Sequence, residues 1–197
     1  MNFVRSLFAI LCLSLGMIVA AQADDTAELP GDSIYRVQAA LTDSQGQSLK
    51  FSDAAGHVRL ATMFYARCKF VCPMLIEQVR SVEAQLTPDE RARLRVLLIS
   101  IDPERDTPEA LADLARQRKV DLARWTLVQP AVADLRKVSA VLGVQFRQLD
   151  DGEFNHSSVI NLIDAQGRVL AKSSVLVGAP DPEFVAAVRK AVAAAPH

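Results

Sequence analysis

The spacing of apolar residues predicts a chain in which strands and helices alternate. Residues 58–65 and 94–101 are apolar runs of strand length, which is typical of buried strands in a parallel sheet. Residues 75–86 carry apolar side chains at helical spacing, and Pro73 suits the first turn of that helix. Similar patterns predict further strands at residues 125–128, 144–149, 159–164 and 168–173.

Short polar motifs mark where the other helices begin and end. Residues 87–90 (TPDE) supply an N-cap, a proline at the first helical position and a glutamate at the third. Residues 106–109 (DTPE) and 181–183 (DPE) predict two more helix starts. A further helix is predicted over residues 131–142, and Gly143 ends it.

The order of these elements predicts the fold class. Residues 34–40 and 48–51 flank a polar turn at residues 42–46, which predicts a β-hairpin. Strands that alternate with helices form a mostly parallel sheet covered on both faces. The sequence therefore predicts an α/β fold with an N-terminal β-hairpin and a central, mostly parallel sheet flanked by helices. No linker or internal repeat divides the chain, so residues 33–197 are predicted to form one domain.

The N-terminal segment has the composition of a secretory signal peptide. Arg5 is its only charged residue, residues 7–20 are almost entirely apolar, and residues 21–23 (AQA) form a cleavage motif. The apolar stretch is short for a membrane span, which needs about 20 residues. We therefore expect residues 1–23 to be removed and residues 24–32 to form a loose segment. The alternative is an uncleaved segment that anchors the protein in the inner membrane.

Composition excludes several classes of function. The chain has 22 basic and 23 acidic residues and a formal net charge of −1, so it lacks the basic excess that binds nucleic acid or an anionic membrane surface. Only 8 glycines are present, and they form neither a P-loop nor a G-x-G-x-x-G motif. Nucleotide binding therefore has no support in the sequence.

The cysteines indicate chemistry rather than stabilisation. Of the three cysteines, Cys12 lies in the predicted signal peptide, which leaves Cys68 and Cys72 in the exported chain. Exported proteins usually carry cysteines as disulfides. A bridge between residues four apart would close a very small loop, however, and would constrain little of the unfolded chain. We therefore expect the pair to serve redox chemistry or metal binding.

The predicted surroundings of the two cysteines favour thiolates. Cys68 follows the C-terminal end of the first central strand, where ligand sites of open α/β sheets lie. Cys72 lies near the N-terminus of the next helix, because Pro73 has to lie in its first turn. The helix dipole, Arg67 and Lys69 would stabilise negative charge there. Two thiolates on one turn suit a soft ion such as copper(I).

Position separates the three histidines as candidates for a further ligand. His57 precedes the first central strand, at the end opposite Cys68, and His197 is the C-terminal residue. His156 lies just before the strand at residues 159–164, in a loop expected to face the cysteine turn. His156 is therefore the candidate ligand, and the alternative is a solvent-exposed histidine in a loop.

Taken together, these motifs resemble the Sco/SenC family of thioredoxin-fold copper chaperones. The resemblance spans about residues 33–193. It is carried by the C-x-x-x-C-P motif at residues 68–73, by residues 100–109 (SIDPERDTPE) and by His156 ahead of residues 159–164. It implies a thioredoxin-like fold and one copper ion per chain, bound as copper(I) or alternatively as copper(II).

The same resemblance implies the residues of the site. Cys68, Cys72 and His156 would bind copper, and the two cysteines would also form a redox-active disulfide. Residues expected close to them are Arg67, Lys69, Pro73 and Asp102. Ser158 stands where thioredoxin has a cis-proline, and the cysteine spacing is one residue longer than in thioredoxin. Both departures argue against a general disulfide reductase.

Three further residues near these motifs have ordinary structural interpretations. Asp106 is expected to cap the helix that follows it. Met63 and Met74 carry soft sulfur atoms, but both lie in apolar periodic runs and are predicted to be core residues.

The resemblance implies a carrier rather than an enzyme with turnover. The protein would act in the periplasm in the maturation of the copper A site of cytochrome c oxidase, with subunit II as its client. Further partners would be another periplasmic copper donor and a thioredoxin-like reductant. Two alternatives stay open: a thiol–disulfide oxidoreductase that acts on the cysteines of copper-site proteins, and a copper-sensing or copper-buffering protein.

Overall fold

The computed structural model describes residues 29–195. The predicted signal peptide, the first part of the predicted loose segment and His197 lie outside these residues. Within residues 29–195, no helix is long and apolar enough to cross a membrane. The strands are β1 (Ala40–Asp43), β2 (Ser48–Lys50), β3 (Val58–Phe64), β4 (Leu94–Ser100), β5 (Trp125–Pro130), β6 (Phe146–Gln148), β7 (Phe154–His156), β8 (Ile160–Ile163) and β9 (Val169–Ser173). The helices are α1 (Val71–Ala84), α2 (Pro88–Arg93), α3 (Pro108–Gln117), α4 (Leu135–Leu142) and α5 (Pro182–Ala194).

Seven of these strands form one mixed sheet in the order β2-β1-β5-β4-β3-β8-β9. The three central strands, β5, β4 and β3, are parallel, as the sequence predicts. The strands on either side pair antiparallel, so the sheet as a whole is mixed rather than mostly parallel. Strands β6 and β7 form a separate two-stranded sheet.

The central strands are buried because helices cover both faces of the sheet. Every residue of β3 is buried, and so is every residue of β4 except Arg95. Such continuous apolar runs are expected where neither face of a strand meets water. Helix α1 contributes Leu75, Ile76, Val79 and Val82 to the same core. The hydrophobic core thus fixes β3, β4 and α1 relative to one another.

Local signals place several element ends as predicted. The hydroxyl of Thr87 accepts a hydrogen bond from the Glu90 amide, and the Glu90 carboxylate accepts one from the Thr87 amide, so α2 begins with a capping box. The Asp181 carboxylate accepts a hydrogen bond from the Glu183 amide at the start of α5. Gly143 ends α4 in the left-handed conformation, at φ 69°.

Other element boundaries differ from the prediction. Residues Ile34–Arg36 form a 3₁₀ turn rather than part of a strand, and β1 begins only at Ala40. Helix α4 begins at Leu135, after a turn at residues 131–134. The predicted loop around His156 is in fact strand β7. This last difference matters most, because β7 carries a candidate ligand.

Asp106 does not cap α3, so that part of the prediction is wrong. Thr107 takes the role, since its hydroxyl accepts a hydrogen bond from the Ala110 amide. The buried Asp106 carboxylate instead accepts hydrogen bonds from the Ala66 amide at 3.0 Å and from the Ser100 hydroxyl at 2.5 Å. Asp106 therefore joins the segment after β4 to the segment after β3.

We expect Asp106→Ala to lower the free energy of unfolding by about 1–3 kcal/mol, because it leaves the Ala66 amide and the Ser100 hydroxyl without an acceptor in a buried place. Urea unfolding monitored by circular dichroism measures the change. Asp113→Ala is the control, since Asp113 forms an exposed ion pair on α3 and such pairs contribute little. Equal stabilities of the two variants would contradict the role given to Asp106.

Candidate metal centre

The two cysteines lie on the turn that connects β3 to α1. The Cys68 amide donates to the Tyr65 carbonyl at 3.2 Å, which closes the turn directly after β3. Helix α1 begins at Val71, so Cys72 and Pro73 both lie in its first turn, as predicted. Both cysteines are free thiols; Cys68 is half-buried and Cys72 is buried. The turn thus presents one accessible sulfur and one protected sulfur.

Hydrogen bonds between the two cysteines make them chemically unequal. The hydrogen bond from the Cys72 thiol is the largest cause that lowers the pKa of Cys68 to about 5, and the Cys72 and Phe70 amides add to it. The Cys72 amide lies 3.3 Å from the Cys68 sulfur. The same thiol hydrogen bond, together with burial, raises the pKa of Cys72. At neutral pH, Cys68 is therefore the thiolate and Cys72 is the thiol that donates to it.

His156 faces the cysteines from β7. Its Nε2 atom lies 4.0 Å from the Cys72 sulfur, and its Nδ1 atom lies 3.1 Å from the Ser157 carbonyl oxygen. Because a carbonyl only accepts hydrogen bonds, Nδ1 carries the proton in the neutral ring, and Nε2 is left with a lone pair directed towards Cys72. The ring is therefore oriented as in a metal-binding histidine, with its other nitrogen held by the backbone.

The distance between these two donors fits a shared ion. An ion such as zinc holds sulfur at about 2.3 Å and imidazole nitrogen at about 2.0 Å, so two such donors of one ion are at most about 4.3 Å apart. The 4.0 Å between Cys72 and His156 lies within that limit. In the described part of the chain, however, no three His, Cys, Asp or Glu side chains are arranged so that they could hold a metal ion as they stand. Cys72 and His156 are at a distance that fits a shared ion, and an ion bound by all three residues would have to draw Cys68 towards them.

A groove of about 450 Å³ opens beside Cys68 and His156, two of the three candidate ligands. It lies between the cysteine turn and β7, and its walls include Tyr65, Phe70, Glu153 and Phe154. The exposed fraction of Phe70 is 78%, so its side chain extends into solvent next to Cys68. The groove makes the site accessible from outside the protein.

Tyr65 and Glu153 belong to the site, although the sequence analysis does not find them. The Tyr65 hydroxyl donates to the Glu153 carboxylate at 2.9 Å, and the Tyr65 ring packs edge-on against the His156 ring. Burial and this hydrogen bond raise the pKa of Tyr65. The one sequence signal for Tyr65 at the site is its place directly after β3, three residues before Cys68. Glu153 carries none, because its position depends on how β6 and β7 pair.

The residues expected near the site are present, but their roles differ. Arg67 donates to the Gly152 carbonyl at 3.0 Å and forms ion pairs with Asp102 and Glu153 at 3.8 and 3.7 Å. Its charge is therefore matched by carboxylates, and the low pKa of Cys68 comes chiefly from hydrogen bonds. Lys69 is exposed and lines the groove.

The structure also shows where the remaining candidates, His57, Met63 and Met74, lie. His57 precedes β3, at the end of the strand opposite the cysteine turn, as predicted. Met63 is a core residue, but Met74 is exposed on α1, so the prediction that both lie in the core is wrong for Met74. In the described residues no peptide bond is cis, including the one that precedes Ser158.

Comparison with known proteins matches most of the chain to one family. A family model described as SCO1/SenC matches residues 30–193. A SCO2-like protein of Rickettsia typhi is 23% identical over 133 residues, which cover 66% of this chain and 65% of that protein. The chain thus spans slightly less than two thirds of the length of this relative.

Two solved structures share the fold. A Bradyrhizobium japonicum ScoI structure with copper bound has a TM-score of 0.65 at 23% identity, over 78% of this chain and 97% of that one. A BsSco structure, described as that of a member of the Sco family of cytochrome c oxidase assembly proteins with a disulfide switch, has a TM-score of 0.68 at 19% identity, over 80% and 94% of the two chains. The fold is therefore the thioredoxin-like fold of Sco proteins. Since the family model covers most of the chain, this protein belongs to the SCO1/SenC family.

Proposed function

We propose that this protein carries copper, one ion per chain, bound by Cys68, Cys72 and His156. The observation that supports this proposal is the lone pair of His156 Nε2, which faces the Cys72 sulfur at 4.0 Å while the backbone holds Nδ1. A redox pair alone does not require an imidazole oriented in this way. The copper-bound ScoI structure from Bradyrhizobium japonicum shows that a protein of this fold can hold the ion.

The donor set favours copper(I) over a harder ion. Thiolates are soft ligands, and a site with two sulfurs and one nitrogen has the low ligand count that copper(I) accepts. Cys68 is already a thiolate at neutral pH, since its pKa is about 5. Cys72 has to lose its proton when copper binds, because only the thiolate is a ligand. Copper(II) is the alternative oxidation state.

The open groove suits a carrier that passes its ion to another protein. Cys68 is half-buried at the mouth of the groove, and Phe70 is exposed beside it. We propose subunit II of cytochrome c oxidase as the client, with its copper A site as the destination, because BsSco is described as an oxidase assembly protein. Another periplasmic copper donor and a thioredoxin-like reductant would supply the ion and keep the cysteines reduced.

Delivery to this client requires export. We propose that residues 1–23 are a cleaved signal peptide, that residues 24–32 are a loose segment, and that residues 33–197 form a single periplasmic domain. An uncleaved segment that anchors the protein in the inner membrane is the alternative, and both place the domain in the periplasm.

One observation favours a second function, thiol–disulfide exchange. The accessible Cys68 has a lowered pKa and the buried Cys72 a raised one, which is the arrangement of an attacking thiol and a resolving thiol. The protein would then reduce the cysteines of a copper site instead of filling it. The following three experiments separate these functions.

Reduced protein is expected to hold one copper ion per chain with two sulfur ligands and one nitrogen ligand. Metal analysis gives the stoichiometry, and X-ray absorption of the loaded protein gives the ligands. Cys68→Ser combined with Cys72→Ser is expected to remove tight binding, because it removes both thiolates. A spectrum without sulfur ligands, or full affinity in the double variant, would refute the site.

Oxidation of the pair to a disulfide is expected to abolish tight copper binding, because both thiolates are lost. Binding is expected to return after reduction. Copper titration of the oxidised protein, with free thiols shown to be absent, tests this. Unchanged affinity of the oxidised form would rule out a thiolate site.

His156→Ala is expected to weaken copper retention strongly and to leave thiol–disulfide exchange nearly unchanged, because exchange depends on the thiol pKa values and on access rather than on a third ligand. The assay is copper A oxidase activity in a deletion strain complemented at low and at high copper. We expect His156→Ala and Cys68→Ser to fail at low copper and to recover partly at high copper.

His57→Ala is the matched control, since His57 lies at the other end of β3. It is expected to complement fully at both copper concentrations. If His156→Ala also complements fully at limiting copper, the carrier function is wrong, and the cysteine pair serves redox chemistry alone.

A further inference from the structure

The candidate ligand His156 lies on a part of the fold that the main sheet does not hold. Strands β6 and β7 form a sheet of their own, with three paired positions from Phe146 opposite His156 to Gln148 opposite Phe154. Isolated two-stranded hairpins are marginally stable in water. The distance from His156 to the cysteine turn therefore depends on side chains that attach this hairpin to the rest of the domain.

Two arginines from different loops contact the turn of this hairpin. Arg67 comes from the cysteine turn and Arg105 from the segment between β4 and α3. Their guanidinium groups lie 3.0 and 3.4 Å from the same acceptor, the Gly152 carbonyl oxygen. Arg67 also forms an ion pair with the carboxylate of Glu153, which accepts the hydroxyl hydrogen bond of Tyr65. The turn of the hairpin is thus bound to both loops that border the site.

A buried carboxylate lies beside both arginines. Asp102 is 2% exposed, and its carboxylate lies 3.1 Å from Arg105 and 3.8 Å from Arg67. Exposed ion pairs contribute little, but this buried carboxylate accepts a charge-assisted hydrogen bond from Arg105 and attracts Arg67 by charge, which keeps both guanidinium groups beside the turn of the hairpin. Both point to Gly152.

The backbone conformation at the turn of the hairpin favours glycine at residue 152. Its φ is +82°, a conformation that glycine adopts at no steric cost. A Cβ atom there would lie 3.4 Å from Arg105 Nη2 and 3.9 Å from Arg67 Nη2. These are ordinary van der Waals distances, so the positive φ of residue 152, rather than a lack of space, is what favours glycine there.

We propose that Arg67 and Arg105 are positioning residues, which hold the β6–β7 hairpin through Gly152 so that His156 stays within reach of the cysteine pair. We name the group Asp102, Arg67, Arg105 and Gly152 the hairpin clamp. The clamp acts through His156 and touches neither sulfur. Its effect on copper rests on the proposed function, but its effect on the hairpin does not.

The test uses Arg67→Gln, Arg105→Gln and the double variant, each with and without His156→Ala. Arg116→Gln is the matched control, because Arg116 is an exposed arginine in an ion pair on α3. Copper(I) retention is measured by competition with a chelator. Amide hydrogen exchange of the metal-free proteins is followed at β7 and, as an internal reference, at β3.

We expect the double arginine variant to retain copper about tenfold less well, because it removes the charge-assisted hydrogen bonds of both arginines to Gly152 and part of that loss is passed on to the position of His156. In the His156→Ala background the same substitutions are expected to change retention by less than about twofold, because the group through which they act is gone. Exchange at β7 is expected to rise in the metal-free double variant, with exchange at β3 and all values of Arg116→Gln unchanged.

Several results would contradict the proposal that the hairpin clamp positions His156. Unchanged exchange at β7 would show that the arginines do not hold the hairpin. An equal loss of copper in the His156→Ala background would show that they act on the thiolates by charge instead. If wild-type protein binds no copper, the proposed function fails, and the exchange measurement still decides whether the clamp holds the hairpin.

Discussion

The parallel register of β3 and β4 is the constraint on which the site depends. Phe64 lies opposite Ser100, so the two buried strands end at the same edge of the sheet, and the Ile101 amide donates to the Phe64 carbonyl at 2.7 Å. The cysteine turn and the segment after β4 therefore begin side by side. Asp106 then joins them through Ser100 and Ala66. Because hydrophobic burial fixes the strands, the position of both cysteines follows from the core and needs no metal.

The cysteine turn and the strands and helix beside it could largely be predicted, because the signals for them lie close together in the sequence. Apolar runs identify β3 and β4, and a proline next to Cys72 limits where α1 can begin. The caps of α2 and α5 are short motifs whose hydrogen bonds join residues at most three apart. In each case the residues that determine the structure are neighbours in the sequence.

The strand that carries His156 and the contacts of Asp106 and Glu153 could not be predicted in the same way. They depend on contacts between residues that are far apart in the sequence. Phe154–His156 has only three residues, too few to show an alternating pattern, and it becomes a strand only by pairing with Phe146–Gln148. Asp106 has the sequence of a helix cap, yet the buried amide of Ala66, 40 residues earlier, takes its carboxylate. Glu153 joins the site only because Tyr65 and Arg67 reach it across the groove.

The same two sulfurs can take part in two kinds of chemistry, depending on whether Cys72 carries a proton. With a proton on Cys72, its thiol donates to Cys68 and lowers the pKa of that residue, which prepares Cys68 for exchange. In the proposed copper-bound state an ion would replace that proton, the same two sulfurs would be its ligands, and the lone pair of His156 would then be used. A disulfide excludes both states. Under the proposed function, reduction therefore has to precede loading, and the hairpin that carries His156 would determine whether a reduced pair becomes a metal site or remains a pair of thiols.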